Sequence, residues 1–330
     1  MVGTDRTRRR TTDGALALGS LLVGAAGAVA WGALEAHRFT LRELTVPVLA
    51  TGARPVRVLH LSDLHLIPTQ ADKIAWVRDL AALSPDLVVD TGDNFGHADA
   101  LVPLLGALDP LLTFPGAFVL GSNDYFAPRP KNPLRYFLRD SRLPEDRTHE
   151  RRPDLPHEAF AAALRDAGWS DLTNRRDSRT LAGDGHVQRV ELVGVDDPHI
   201  DRDVFPAPAA AATSGTSVPT VLRLGVTHAP YTRVLDAMVD DGAGLVLAGH
   251  THGGQLCVPG FGALVTNCDI DRARVSGLHG WPGARPDEPG GEDSSWLHVS
   301  AGVGTSPQVR LRFACPPTAS LLTLVERASA

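Results

Sequence analysis

Short apolar runs, each followed by a cluster of polar residues, recur along the chain after residue 54. Five such runs stand out: Val56–Leu61, Leu87–Val89, Ala117–Leu120, Val221–Val226 and Leu245–Ala248. Runs of four to six mainly apolar residues predict buried strands. Near the C-terminus, the same pattern predicts two last strands at Trp296–Gly302 and Leu321–Val325.

Stretches with helical spacing lie between these predicted strands. Helices are predicted at Ala71–Leu83 and Tyr231–Val239, and a third at His157–Ala167 is stopped by Gly168. Strands that alternate with helices predict a layered α/β architecture. Functional side chains of such folds collect at the carboxyl ends of the strands. The five polar clusters all fall at those ends.

The N-terminus carries a long uncharged run of 21 residues from Gly14 to Leu34, preceded by arginines at positions 6, 8, 9 and 10. At about 1.5 Å per residue, a helix of this length would cross a bilayer. The arginines would hold its start in the cytoplasm and place the rest of the chain outside. Ala28-Val29-Ala30 also fits a signal-peptide cleavage site, which would make the protein secreted instead of anchored to the cell membrane. A buried core helix is the third interpretation.

These features divide the chain into three parts. Residues 1–35 form the basic N-terminus with the transmembrane or signal segment, residues 36–53 a connector with a candidate strand at Phe39–Val48, and residues 54–330 the main folded domain. Loops or insertions are predicted at three segments rich in proline, glycine or small residues: Arg129–Arg152, Pro206–Pro219 and Trp281–Asp293.

Composition narrows the classes of function. A hydrophobic content of 43% and a charged content of 21% are ordinary for a folded soluble domain. The net charge of −6 argues against nucleic-acid binding, which usually shows as an excess of basic residues. The three cysteines, Cys257, Cys268 and Cys315, form no CxxC pair, so they indicate neither a zinc knuckle nor a disulfide framework. At most one bridge can form among them.

Six side chains with metal-binding chemistry occupy the polar clusters that end four of the predicted strands. They are Asp63, His65, Asp93, His228, His250 and His252. Taken singly, an Asp-x-His pair most often has a surface or helix-capping role, and a Gly-Asp pair most often forms a turn. Together, imidazole and carboxylate groups suit Zn, Fe or Mn, and a carboxylate can bridge two ions that lie about 3.5–4 Å apart. The set therefore predicts a centre with two divalent metal ions.

The order of these motifs resembles that of the calcineurin-like metallophosphoesterases. The resemblance covers roughly residues 54 to 326 and rests on Asp63-x-His65, Gly92-Asp93, Gly121-x-Asn123-Asp124, His228 and Gly249-His250-Thr251-His252. The longer string from Gly249 to Gln255, which reads GHTHGGQ, is similar to a bacterial subgroup that often carries an N-terminal export or anchor segment. The resemblance implies a four-layer αββα sandwich with two central mixed sheets, here preceded by the N-terminal apolar helix.

The resemblance also implies a role for each residue. Asp63, His65 and His252 would bind one ion, His228 and His250 would bind the other, and Asp93 would bridge the two. The implied reaction is the hydrolysis of a phosphate ester by a metal-activated hydroxide. We expect Asp93, Asn123 and His250 to contribute to catalysis as well as to metal binding.

The third motif departs from the family pattern, which is Gly-Asn-His followed by an acid. This chain has Gly121-Ser122-Asn123-Asp124 instead. Without a gap, Ser122 takes the ligand position and Asn123 takes the position of the histidine. A rearranged turn would let the Asn123 side-chain oxygen bind the ion instead. An amide oxygen is the better neutral ligand for a hard ion, so Asn123 is favoured as the seventh ligand.

Either alignment removes the histidine that lies close to the leaving group in the family. A general acid typically contributes about 10²–10⁴-fold to a rate, so substrates with good leaving groups are favoured. The missing histidine and the resemblance to the bacterial subgroup together favour a phosphate diester over a monoester. The altered motif also keeps a different class open, namely a non-catalytic or weakly active metal-binding protein that retains the fold.

Overall fold

Two six-stranded mixed sheets form the centre of the molecule, as seen in a computed structural model that describes residues 20, 23–129, 132, 152–183, 185–208 and 218–327. The strands are numbered in chain order. The first sheet has the order β1 (Thr40–Leu49), β14 (Thr318–Glu326), β2 (Val56–Leu61), β3 (Leu87–Asp90), β4 (Gly116–Phe118) and β5 (Ser170–Asp171). Only the pairing of β14 with β2 is antiparallel.

The second sheet differs from the first, because its centre is parallel and both of its edge strands are antiparallel. Its order is β12 (Gly277–Trp281), β13 (Ser295–Val299), β9 (Leu245–Ala248), β8 (Thr220–Val226), β7 (His186–Gly194) and β6 (Arg175–Gly183). β12 and β6 pair antiparallel with their neighbours, and the inner pairs are parallel. A short hairpin of β10 (Cys257–Val258) and β11 (Gly262–Ala263) lies apart from both sheets.

Six α-helices lie among the described residues, and four of them, each packed in a hydrophobic core, cover the outer faces of the sheets. The six helices are α1 (residues 23–35), α2 (Ala71–Asp79), α3 (Leu101–Leu108), α4 (Ser122–Tyr125), α5 (His157–Asp166) and α6 (Thr232–Asp240). Strand β2 shows how the core is divided, because Val56 and Val58 pack between the two sheets while Leu59 and Leu61 face α2, α3 and α5. A third core joins α6 to the second sheet. Three cores therefore separate four layers.

The strands predicted from the five apolar runs are confirmed, with ends that differ by at most two residues. The predicted helix Ala71–Leu83 is α-helical only to Asp79 and continues as a 3₁₀ turn over Leu80–Leu83. The predicted strand Trp296–Gly302 ends early, at Val299. Beyond Val299 the chain leaves the sheet, because the N–H groups of Val303 and Gly304 donate to the carbonyls of Ser62 and Asp63.

The segment predicted as a connector, residues 36–53, contributes a strand to the first sheet. The candidate strand at Phe39–Val48 is confirmed as β1, and it pairs with β14 along almost its whole length. Helix α1, which precedes it, is held to the domain at its end: the backbone N–H groups of Ala314 and Cys315 donate to the buried Glu35 carboxylate. Strand β1 is thus an integral part of the first layer.

Parts of three predicted segments lie outside the described residues. These are residues 14–19, 21 and 22 of the predicted apolar helix, nearly all of the predicted insertion Arg129–Arg152, and residues 209–217 of the predicted loop Pro206–Pro219. In the portion that is described, we find no helix with both the length and the apolar character needed to cross a membrane.

Candidate metal centre

The six side chains predicted to bind metal lie in two adjacent clusters at the carboxyl ends of β2, β3, β8 and β9. One cluster contains Asp63, His65 and His252, and the other contains Asp93, His228 and His250. Within each cluster, one ligand atom per residue lies within 4.8 Å of the others. Since β2 and β3 belong to one sheet and β8 and β9 to the other, both clusters are built across the two sheets and depend on their packing.

Asp93 joins the two clusters. One of its carboxylate oxygens lies 3.4 Å from Nε2 of His65, and the other lies 3.5 Å from Nε2 of His228. All three side chains are buried. A carboxylate placed in this way can be shared by two cations.

Backbone strain is concentrated at this site. Five of the six side chains are carried by residues with a left-handed backbone, with φ values of 51° for Asp63, 37° for His65, 59° for Asp93, 68° for His250 and 50° for His252. A residue with a Cβ is costly in this region, and such strain persists where the surrounding structure imposes it, often at functional sites. The polar loops are therefore shaped by the centre and not by local backbone preference.

Two glycines allow these loops to approach each other. A Cβ at Gly249 would lie 1.8 Å from Oγ of Ser62 and 2.6 Å from Oδ2 of Asp63. A Cβ at Gly121 would lie 2.4 Å from Oδ1 of Asp93. No side chain fits at either position without displacing a carboxylate of the centre.

Backbone carbonyls fix which ring nitrogen of two histidines faces the centre. Because a carbonyl can only accept, Nδ1 of His228 donates to the carbonyl of Thr91 at 2.7 Å, and Nε2 of His250 donates to the carbonyl of Asn267 at 3.2 Å. When both rings are neutral, as metal ligands must be, this leaves Nε2 of His228 and Nδ1 of His250 as lone-pair atoms, 3.2 Å apart. Two lone pairs that face each other at this distance suit a cation, and this arrangement is typical of metal-ligating histidines.

Buried atoms without a hydrogen bond give a second test of whether a metal ion fits. Oδ2 of Asp63 accepts from Oγ of Ser62 at 2.5 Å and from the N–H of His250 at 3.0 Å. Oδ1 of Asp63 and Nε2 of His65 are buried and have no hydrogen-bond partner among the described residues. Each buried polar atom without a partner lowers the stability of the folded protein by about 1–3 kcal/mol. A bound cation would supply the missing partner. The residues therefore fit a divalent ion at this position.

The electrostatics of the centre favour a positive charge. Burial lowers the pKa of His65 to about 4 and that of His250 to about 3, which keeps both rings neutral as ligands must be. Burial also opposes a charge on His228, but the nearby Asp93 carboxylate prevails and raises the pKa of His228 to about 10. The carboxylates thus stabilise a positive charge at this position, which the protonated His228 ring or a metal ion bound there can carry.

The third motif lies against Asp93. The backbone N–H of Asn123 donates to one oxygen of the Asp93 carboxylate and its side-chain amide donates to the other, each at 2.7 Å. Oγ of Ser122 lies 3.3 Å from the same amide nitrogen. The buried Asp124 carboxylate accepts from the N–H groups of Asp93, Asn94 and Gly121 and so holds the turn in place. In this structure Asn123 is a hydrogen-bond donor to Asp93.

Arg312 binds backbone carbonyls of the loops that form the first cluster. This residue was not identified from the sequence. Its guanidinium is fully buried and donates to the carbonyls of His252, Ala301, Gly302, Gly304 and Cys315. Four of these carbonyls, those of His252, Ala301, Gly302 and Gly304, belong to the turn that carries His252 and to the loop that lies against Asp63. Arg312 therefore holds together two segments that shape the first cluster.

Two further histidines, His199 and His298, lie outside both clusters. The His199 ring lies 4.3 Å from the His250 ring, measured between centroids, and its Nδ1 is 3.1 Å from the hydroxyl of Tyr231. His298 is hydrogen-bonded to His60 at 2.9 Å between the two sheets. His199 thus borders the centre, whereas His298 is part of the core.

Comparison with known proteins identifies relatives of the chain. A family model for calcineurin-like phosphoesterases matches residues 56–254. The matched region contains all six side chains of the two clusters and the third motif.

Three curated bacterial proteins are similar over most of their length. A UDP-2,3-diacylglucosamine pyrophosphatase of Chlamydia trachomatis is 26% identical over 296 residues, which covers 81% of this chain and 83% of the relative. A metallophosphoesterase of Bacillus subtilis is 23% identical and covers 94% of both chains. A phosphodiesterase of Escherichia coli is 27% identical and covers 83% of both chains.

Proposed function

Because the chain belongs to the calcineurin-like phosphoesterase family, we propose that it hydrolyses a phosphate ester at a dinuclear metal centre. The observation that supports this proposal most directly is the pair of three-residue clusters that meet at Asp93. The proposed ligands of one ion are Asp63, His65 and His252, and those of the other are His228 and His250. Asp93 is shared, and Asn123 is the proposed seventh ligand.

The contribution of the chain is to hold these groups in fixed positions. Two divalent ions, for which Mn, Fe and Zn are candidates, would supply Lewis acidity to the phosphoryl oxygens and lower the pKa of a bound water. The two donors of Asn123 orient the Asp93 carboxylate, and Ser62 orients that of Asp63. The carbonyls of Thr91 and Asn267 set the tautomers of His228 and His250. These hydrogen bonds hold each proposed ligand in the orientation and tautomer that metal binding requires.

The third motif bears on the choice of substrate. An amide cannot give up a proton at neutral pH, so Asn123 cannot replace a histidine as a general acid. The enzyme is therefore proposed to favour leaving groups that depart without protonation, and diesters over monoesters. Two of the relatives are named a pyrophosphatase and a phosphodiesterase, which is consistent with this preference.

The experiment that tests this function compares two chromogenic esters. With Mn²⁺, the full-length protein is expected to hydrolyse bis-p-nitrophenyl phosphate with a higher kcat/KM than p-nitrophenyl phosphate, and a chelator should abolish both activities. Protein that binds two ions per chain but hydrolyses neither ester would instead support the alternative, a metal-binding protein that retains the fold. A preference for the monoester would contradict the proposed role of the third motif.

Substitutions in the third motif distinguish its two alignments. If Asn123 supplies a ligand oxygen, Asn123→Ala is expected to lower the affinity of one metal site by about 10–100-fold or more. Even the loss of a residue that only hydrogen-bonds to a ligand lowers metal affinity by this much. Ser122→Ala is then expected to leave the affinity for both ions unchanged. Metal titration of the two variants measures the affinities. The reverse order would assign the ligand position to Ser122, and full occupancy in both variants would show that neither side chain binds.

We also propose that the catalytic domain acts outside the cytoplasm, either anchored to the cell membrane through residues 14–34 or secreted after cleavage. The support is the arginine-rich N-terminus before an uncharged run, together with the string from Gly249 to Gln255 that is similar to the bacterial subgroup with export segments. Fractionation of cells that express the full chain tests this proposal, and a soluble cytoplasmic protein would contradict it.

A further inference from the structure

Two of the three cysteines, Cys257 and Cys315, contact the same turn, the one that carries His252. Sγ of Cys257 lies 3.2 Å from the carbonyl oxygen of Gly253, and Sγ of Cys315 lies 3.6 Å from the same oxygen and 3.4 Å from that of His252. Cys268 is in a different environment, where its thiol contacts the carbonyl of Thr266. All three cysteines are in the thiol form in this structure.

Hydrogen bonds from the backbone N–H groups of Cys257 and Cys315 fix the positions of both residues. The N–H of Cys257 donates to the carbonyl of Phe313 at 2.9 Å, next to a parallel bridge between Leu256 and Phe313. The N–H of Cys315 donates to the buried Glu35 carboxylate at 2.7 Å. The sulfurs are therefore neighbours because of the fold, although 57 residues lie between them in the sequence.

We propose that Cys257 and Cys315 form an intramolecular disulfide when the protein meets a thiol oxidant, and that Cys268 remains a thiol. The inference does not depend on the phosphoesterase activity. It identifies the one bridge that three cysteines allow, and a disulfide is a modification that persists in the extracytoplasmic compartment proposed above.

The oxidation proceeds by thiol–disulfide exchange with a low-molecular-weight disulfide such as oxidised glutathione. Cys257 is half-buried and Cys315 is buried, so Cys257 meets the oxidant first. Its thiolate attacks one sulfur of the oxidant and expels one glutathione thiolate. The Cys315 thiolate then attacks the Cys257 sulfur of the mixed disulfide and expels the second. The protein loses two protons and two electrons, and the oxidant is reduced to two thiols.

The bond would connect the start of β10 to the segment between Arg312 and β14. Both ends contact the His252–Gly254 turn, and a Cβ at Gly253 would lie 2.7 Å from Sγ of Cys315. The cross-link would therefore fix a segment that carries a proposed metal ligand. It would also constrain the unfolded chain, which is how a disulfide that closes a long loop mainly stabilises a protein.

Peptide mapping without reduction tests the pairing. The purified full-length protein is incubated with oxidised glutathione, and its remaining thiols are then blocked with N-ethylmaleimide under denaturing conditions. Digestion with chymotrypsin, which cuts after Phe261, separates Cys257 from Cys268. Mass spectrometry is expected to find the Cys257 peptide linked to the Cys315 peptide and Cys268 blocked. Blocked thiols at both Cys257 and Cys315, or a cross-link that includes Cys268, would overturn the proposal.

Single serine variants supply the controls. Oxidised wild-type protein is expected to show a Tm several degrees above that of the reduced protein. Cys268→Ser should keep both the cross-link and the increase in Tm, whereas Cys257→Ser and Cys315→Ser should each lose both. An increase in Tm that survives in Cys257→Ser would show that another modification is responsible and would contradict the assignment.

Discussion

Asp93→Asn is expected to reduce kcat/KM by more than about 100-fold and to remove much of the bound metal. Asp93 lies between the two clusters, 3.4 Å from His65 and 3.5 Å from His228, and its two oxygens accept both donors of Asn123. An amide at this position has one oxygen and carries no charge, and its NH₂ group would face the donors of Asn123. Loss of a group that only supports a ligand typically costs 10–100-fold, so loss of a shared ligand should cost more.

The measurement pairs turnover of bis-p-nitrophenyl phosphate with elemental analysis of the same sample. Asp99→Asn is the matched control, because it makes the same change in charge at a carboxylate whose side chain is 85% exposed. The control should behave as the wild type in both assays. An Asp93→Asn protein with near-normal turnover and metal content would mean that Asp93 is not shared between two ions.

Arg312→Met is expected to lower the free energy of unfolding by about 3–5 kcal/mol. The methionine fills much of the volume with an adaptable apolar chain, so a cavity is not the main cause. The cause is the loss of donors to the buried carbonyls of His252, Ala301, Gly302, Gly304 and Cys315. A buried polar group left without a partner costs about 1–3 kcal/mol. Such a loss is large beside a total stability of about 5–15 kcal/mol.

Denaturant unfolding of the metal-free protein, followed by circular dichroism, measures this effect without any contribution from bound ions. Arg310→Met is the control, since Arg310 lies two residues earlier and is exposed. Exposed substitutions of this kind usually change stability by less than about 0.5 kcal/mol. Equal effects of the two substitutions would mean that the buried hydrogen bonds of Arg312 are not important for stability.

The sequence predicted the parts of the fold whose hydrophobic pattern is unambiguous. Strands such as β2 and β9 are buried on both faces and therefore read as continuous apolar runs. Strand β6 has the sequence RRDSRTLAG and only one buried residue, because it lies at the edge of its sheet, so no alternation marks it. Strand β12, with the sequence GLHGW, contains two glycines and has no strand signature either. Edge strands of this kind are held by pairing and not by their own pattern.

The candidate site could be predicted only where residue type determines the chemistry. Several histidines and aspartates at the ends of neighbouring strands indicate metal binding more than any other role. The six candidate side chains could therefore be named from the sequence. The groups that orient them are backbone carbonyls, such as those of Thr91 and Asn267, which carry no sequence signal. Arg312 likewise acts through carbonyls distant in sequence. The third motif stayed ambiguous because Ser122 and Asn123 are adjacent, and the sequence does not determine which of the two side chains takes the ligand position.

The number and position of the metal ions test the dinuclear centre most directly. Crystals of the full-length protein grown with Mn²⁺ would be analysed by anomalous scattering, with elemental analysis of the same preparation. We predict two ions per chain, one among Asp63, His65 and His252 and the other among Asp93, His228 and His250. A fully active enzyme with a single ion per chain, or with ions bound away from these two clusters, would contradict the account.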